Sequence, residues 1–169
     1  MGRPWDQCLY LREVAPARTC PRASNSVSGE LESGHIWSDD RVNLRDVCDS
    51  FGLYHQAQGE YEKAIEEFEQ ARAIAVELGD RQGEAMACNN MGMSYRALKQ
   101  YDKAIELLEN CLAIDEELGD KRGQAITCRN LGVCLSWHGQ HDRAVVWLKQ
   151  AWSEFQELGD EEDLSLIHI

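Results

Sequence analysis

Basic charge is in short supply. The 169 residues hold 17 Lys and Arg against 30 Asp and Glu, a net charge of −13 with a sequence pI near 4.7. That balance argues against a nucleic-acid binder, whose affinity rests on Lys and Arg displacing phosphate counterions, and against a negatively charged membrane surface. No apolar run approaches the roughly 18 residues a membrane helix needs, and the N-terminus has no apolar core of a secretory signal. The cysteines, seven in number, show neither C-x-x-C spacing nor the even set of a secreted scaffold. They read as reduced thiols in a cytoplasmic or nuclear protein. P-loop, dinucleotide and nucleophile-elbow patterns are all missing, so neither cofactor nor enzymatic activity is expected. Proline occurs only at Pro4, Pro16 and Pro21.

What is present is a repeat. Gly79-Asp80 recurs at Gly119-Asp120 and at Gly159-Asp160, a step of 40 residues with no insertion. At the same step Gly52, Gly92 and Gly132 line up, as do Ala64, Ala104 and Ala144, and Cys48, Cys88 and Cys128. Tyr61-Glu-Lys-Ala-Ile-Glu is answered by Tyr101-Asp-Lys-Ala-Ile-Glu and more loosely by His141-Asp-Arg-Ala-Val-Val. A period of this size marks a solenoid. The expected organisation is a disordered leader over 1–38, units over 39–80, 81–120 and 121–160, and a remainder over 161–169.

Within each unit the apolar residues fall at spacings of three and four, which predicts two helices per unit and an all-α fold. In the middle unit Ala85, Cys88, Met91, Gly92 and Tyr95 share one face of a first helix, about 82–98. Ala104, Leu107, Leu108, Cys111, Leu112 and Ile114 share one face of a second, about 101–118. The first unit gives helices over 43–58 and 61–78, the third over 122–137 and 141–158. Gly119 offers a C-terminal cap that tolerates positive φ, and Asp120 can cap the next helix. A glycine inside a helix costs roughly 1 kcal/mol relative to alanine, so Gly52, Gly92 and Gly132 imply a large side chain on the partner helix that needs their space. Ala104→Phe on the facing side should overpack by about 1–3 kcal/mol.

The cysteines stacked at 48, 88 and 128 read as core residues, where burial makes a thiol inert. His138 and His141 have a spacing that could grip a metal weakly, but His141 takes the place of Tyr61 and Tyr101, so packing is expected and no metal site. The glutamates of the second helices (Glu62, Glu66, Glu67, Glu69, Glu106, Glu109) read as a solvated convex face.

Taken together these positions resemble the tetratricopeptide repeat (TPR). Its first helix carries an apolar residue, Leu-Gly and Tyr; its second carries Ala, Phe and Ala. The places read Cys48, Phe51-Gly52, His55, Ala64, Phe68, Ala71; then Cys88, Met91-Gly92, Tyr95, Ala104, Leu108, Cys111; then Cys128, Leu131-Gly132, Leu135, Ala144, Leu148, Ala151. The unit is six residues longer than the 34-residue form and lacks its closing proline. With Gly79-Asp80-Arg81 and Asn90-Met91-Gly92 it resembles the repeats of LGN/Pins-type G-protein modulators, and similar units occur in rapsyn-like scaffolds.

The resemblance implies a right-handed superhelical α-solenoid of three helix hairpins whose first helices line a concave groove for an extended or helical peptide. The side chains expected to face it are Asp46, Asp49, Leu53 and Gln56 in unit one. Unit two supplies Met86, Asn89, Met93 and Arg96, and unit three Ile126, Arg129, Val133 and Ser136. The surface is acidic at one end and apolar in the middle, with Arg96 and Arg129 placed to take a carboxylate or simply to be solvated or paired. The Arg and Asn ladder of the LGN/Pins groove falls on Asp46, Met86 and Ile126 and on Leu53, Met93 and Val133, so that acidic-peptide ligand does not carry over. The chaperone-tail clamp wants Lys, Asn, Asn, Lys and Arg where this chain has Asp49, Leu53, Asn90, Ile126 and Asn130, of which only Asn90 fits, so that ligand is disfavoured too.

Two features of the ends bear on function. Met1-Gly2 lacks the Ser or Thr that myristoylation wants at position 6, which is Asp6, and Asp6, Glu13 and the prolines spoil an amphipathic transit helix. At the other end Val146, Trp147, Trp152 and Phe155 make the last helix the most apolar of its kind, although a terminal repeat needs a polar cap. Residues 161–169 fall in phase with 81–89 as a fourth first helix would, and Leu164–Ile169 resembles read-through of a sequencing adapter, so a fragment of a longer repeat protein is expected. The alternatives are an apolar tail folding back and self-association through Trp147, Trp152 and Phe155. Function reduces to two classes: a non-enzymatic scaffold for a protein or peptide partner, or the recognition arm of a larger enzyme or G-protein-modulator-like regulator.

Overall fold

The computed structural model describes the backbone of residues 33–159 and the side chains of residues 40–159. The expected leader up to residue 32 and the tail from residue 160 lie outside the described residues. Six helices make up this part, and no strand occurs among the described residues: α1 (Ser33–Ala57), α2 (Tyr61–Leu78), α3 (Arg81–Ala97), α4 (Tyr101–Leu118), α5 (Lys121–Trp137) and α6 (His141–Leu158). They pack as three hairpins, α1 on α2, α3 on α4 and α5 on α6. Each second helix also packs on the next first helix, and α1, α3 and α5 lie side by side. This is an all-α helical solenoid.

The glycines explain how the hairpins close. A Cβ on Gly92 would stand 2.9 Å from Leu108 Cγ, and one on Gly132 2.6 Å from Leu148 Cγ, so each mid-helix glycine makes room for a leucine of the partner helix. In the first hairpin the guest is the Phe68 ring against Gly52. Phe68 and Leu108 are fully buried, each worth about 1.5–3 kcal/mol of transfer out of water. Ala64 and Ala104 are fully buried and Ala144 nearly so; being small, they let the backbones approach.

The corners are built by glycine and aspartate. Gly79, Gly119 and Gly159 end the second helices at φ 69, 68 and 69°, a left-handed conformation in which a Cβ is strained. Asp80 and Asp120 then each accept the N–H of the residue three further on, Gly83 and Gly123, at 2.9 Å. The turn inside each hairpin also needs positive φ. Gly59 and Gly139 supply it, whereas the middle hairpin uses Lys99 at φ 61°.

One boundary departs from the sequence reading. The pattern starts the first helix at residue 43, yet α1 begins at Ser33. The position one step before Gly79 is Asp39, so the breaker that separates α2 from α3 and α4 from α5 has no counterpart there, and the helix runs through. No described helix is long and apolar enough to cross a membrane.

Candidate functional site

Chemistry on the described cysteines is closed off by burial. Cys48, Cys88, Cys111, Cys128 and Cys134 are all buried. Loss of hydration pushes the thiols of Cys111 and Cys128 up to about 12 and raises those of Cys88 and Cys134, so the reactive thiolate is suppressed. The two histidines part ways. His138 stacks on Tyr101 with ring centroids 5.7 Å apart and its Nε2 lies 3.7 Å from Asp102. His141, expected to pack as the tyrosines do, is exposed. It opens α6. Of the six second-helix glutamates named from the sequence, Glu67 is half-buried, and Glu62, Glu66, Glu69, Glu106 and Glu109 are exposed.

The twelve first-helix residues named from the sequence differ in how free they are. Asp46, Leu53, Met86 and Ser136 are exposed; the other eight are half-buried. Two of these eight are tied into the stacking of the units. Gln56 Nε2 donates to Ser94 Oγ at 3.1 Å, joining α1 to α3, and Asn89 Oδ1 accepts from Asn130 Nδ2 at 2.8 Å, joining α3 to α5. Arg129 lies over the Phe155 ring, 5.8 Å from its centroid. Burial raises the Asp49 carboxyl, with Arg45 pulling the other way, and Asp46 pairs with Arg45 at 2.7 Å. The side chains named for self-association are largely spent inside the last hairpin: Phe155 is fully buried, and Trp147 and Trp152 pack against the same core.

A recess of about 220 Å³ opens between α3 and α5. It gathers three of the twelve, Met86, Asn89 and Ile126, together with Gln82, Ala85, Cys111, Asp115, Asp120, Arg122, Gly123 and Thr127. Its floor is Asp115, only 5% exposed. Asp115 Oδ2 accepts from Thr127 Oγ1 at 3.0 Å and lies 3.6 Å from the Cys111 thiol. Gln124 Nε2 donates to the Asp115 backbone carbonyl at 3.1 Å. Burial raises the Asp115 carboxyl above its ordinary range; the Thr127 and Cys111 hydrogen bonds offset part of this, and the nearby charge of Asp120 adds to it. Sequence reasoning that followed apolar spacing passed over Asp115 and Thr127. The 40-residue step held the signal, since Asp115 stands in register with Ala75 and Phe155, and Thr127 with Ala87.

Comparison with known proteins agrees with this architecture. Two tetratricopeptide-repeat family models match, one over residues 84–152 and one over residues 46–75; together they span more than half of the chain. No curated protein sequence matches it. Among solved structures, the TPR domain of Arabidopsis FLU is similar at 21% identity and a TM-score of 0.66, over 69% of this chain and 98% of that domain. Aspartyl phosphate phosphatase F from Bacillus subtilis is similar at 21% identity and 0.71, over 82% of this chain and 34% of that protein. BtubC from P. vanneervenii is similar at 25% and 0.68, over 75% and 53%. The chain therefore spans a third to a half of the length of the last two. Repeat step, helix pairing, family models and structural likeness converge, and the chain belongs to the tetratricopeptide-repeat family, whose fold serves as a protein–protein interaction scaffold.

Proposed function

We propose that this chain is a non-enzymatic scaffold of the cytoplasm that holds an extended or helical peptide along its row of first helices. The observation that carries the reading is the recess between α3 and α5, which adjoins side chains of two successive units, Met86 and Asn89 from one and Ile126 from the next. Exposed Leu53 and Met86 with half-buried Met93, Ile126 and Val133 supply apolar contact, while Asp46, Asp49, Gln56 and Ser136 frame it. Arg96 and Arg129 take a carboxylate of the peptide, Arg129 from its seat over Phe155.

The test is selection of binders from a random peptide library displayed on phage, followed by mapping of the bound peptides by amide chemical shifts. Shifts concentrated on α1, α3 and α5, and binding weakened by about tenfold in Met86→Glu, are expected. Binders that map to α2, α4 and α6 instead would remove the proposal. Charge reversal of Arg96 and Arg129 together is expected to weaken acidic binders only.

A second reading makes the hairpins the recognition arm of a larger enzyme or regulator, G-protein-modulator-like among the candidates. It is favoured by the likeness to a part, about a third, of an aspartyl phosphate phosphatase. Recovering the full transcript and reading the frame beyond these residues decides between the two.

A further inference from the structure

The molecule holds its own comparison for the recess, because the 40-residue step brings the same backbone round twice. At the first junction, where α2 meets α3, Asp80 Oδ1 accepts the Gly83 N–H at 2.9 Å, and Asp80 Oδ2 forms an ion pair with Arg45 Nη1. The Arg45 guanidinium lies against Gly83, 3.0 Å from where a Cβ would be. That arginine is mostly buried, 17% exposed at its side chain, so it fills the junction as well as neutralising it.

At the second junction, where α4 meets α5, the acid and the glycine are repeated. Asp120 Oδ1 accepts the Gly123 N–H at 2.9 Å, and Asp120 Oδ2 stands 2.8 Å from the Cβ position of Gly123, the same distance as Asp80 Oδ2 from that of Gly83. The arginine is not repeated. Ala85 occupies the place of Arg45, and Ala85 lines the recess. A second carboxylate has been added instead: Asp115 Oδ1 lies 2.9 Å from the Gly123 Cβ position, on a residue whose counterpart at the first junction is Ala75. The only cation among the lining residues is Arg122, exposed on the first turn of α5; Gln82, its counterpart on α3, is neutral.

The geometry points to an arginine subsite: we propose that the recess between α3 and α5 receives an arginine side chain of a bound partner, its guanidinium between Asp115 and Asp120 in the place that Arg45 fills at the first junction. Each element of the fit is on hand. The cavity is large enough for an alkylguanidinium, Met86 and Ile126 flank its entrance with apolar surface for the stem, and two carboxylates match the fork of a guanidinium. The chain's net charge of −13 favours approach of a basic partner. The raised carboxyl of Asp115 belongs with this arrangement: a buried acid waiting for a cation is harder to ionise than one that already has it. The identity of the guest rests on the groove reading above, but the recess is testable without a peptide.

The probe is n-butylguanidinium, with n-butylurea as its neutral isostere, titrated into the intact chain while the amide signals of Gly123, Thr127 and Asp115 are followed. Butylguanidinium is expected to shift these signals saturably with a millimolar Kd, about fivefold or more tighter than butylurea, and tighter still as pH rises and Asp115 ionises. Asp115→Asn should remove most of that preference. Ala85→Arg should abolish binding by supplying the guanidinium in cis, and it should fold, because the first junction already does so. Equal binding of the two probes, or binding unchanged in Ala85→Arg, reduces the recess to an apolar dent and overturns the proposal, as does the absence of any shift. If the probe binds here while library peptides map elsewhere, the subsite stands and the groove reading falls. Peptides that track the first helices without any probe binding give the reverse.

Discussion

Ala71, Ala75 and Ala87 are buried on α2 and α3, which pack together; Cys111, Asp115 and Thr127 occupy the same three places on α4 and α5. The backbone plan is shared, and the first set is fully apolar and sealed while the second is polar and opens onto a recess. The polarity is spread between junction and rim differently in the two cases. The first junction pairs its charges with arginines, Asp80 with Arg45 and Glu84 with Arg72 and Arg81, and leaves the positions of Ala75 and Ala87 neutral. The second moves a carboxylate to the floor and satisfies it with a hydroxyl and a thiol. A repeat fold tolerates this because each junction answers only to its neighbours, so one of them can be given over to chemistry without disturbing the next.

The sharpest way to break the comparison is to move the acid. Ala75→Asp buries a carboxylate where Ala87 offers no hydroxyl, and should cost about 3 kcal/mol or more, read as a loss of midpoint in urea. Next in size are the glycine contacts. Gly52→Ala runs its Cβ into the Phe68 ring and should cost about 1–3 kcal/mol, whereas Gly92→Ala makes a less severe contact with the buried Leu108, at 2.9 Å, and should cost less, offset in part by the helix preference of alanine.

The caps separate the junctions again. Asp120→Ala should cost about 1 kcal/mol. Asp80→Ala should cost more, since it also removes one of the two carboxylates paired with the largely buried Arg45 and leaves it Asp46 alone. Asp115→Ala with Thr127→Ala removes the carboxylate and the hydroxyl from the floor of the second junction, leaving alanines as at Ala75 and Ala87 in the first. Asp115 has a folded-state pKa above its ordinary 3.8, so its favourable contribution is complete below the unfolded value and is lost as pH rises through the folded one. The double variant should therefore gain on the parent protein as pH rises from acid to neutral, measured as the difference in thermal midpoint across that range. Smallest is Lys99→Gly, which relieves a positive φ where the other hairpins have glycine and should stabilise by under about 1 kcal/mol.

Much of this was legible beforehand for a plain reason. Residues that fix the fold recur, so spacing alone gave the statement that Gly52, Gly92 and Gly132 each yield to a large side chain of the partner helix; that these are Phe68, Leu108 and Leu148 came from the structure. What singles out a site does not recur, and a search for similarity steps over it. Asp115 replaces an alanine and was invisible to apolar periodicity; Ala85 replaces an arginine and looked like ordinary core. The start of α1 was missed for the same reason inverted, because a missing breaker at Asp39 leaves no residue to notice. His141 was misjudged by analogy with Tyr61 and Tyr101, which are half-buried where it is exposed.

The amide staples between neighbouring first helices carry one more consequence. Gln56 with Ser94 and Asn89 with Asn130 set the spacing of α1, α3 and α5 by the length of a hydrogen bond, 3.1 and 2.8 Å. Close-packed apolar side chains tolerate small sliding, but a directional bond does not. The pitch of the stack is thus gauged by four polar side chains, and it behaves as a wound spring whose rest length they calibrate. Replacing a staple with an apolar pair would leave the coil standing and make it softer.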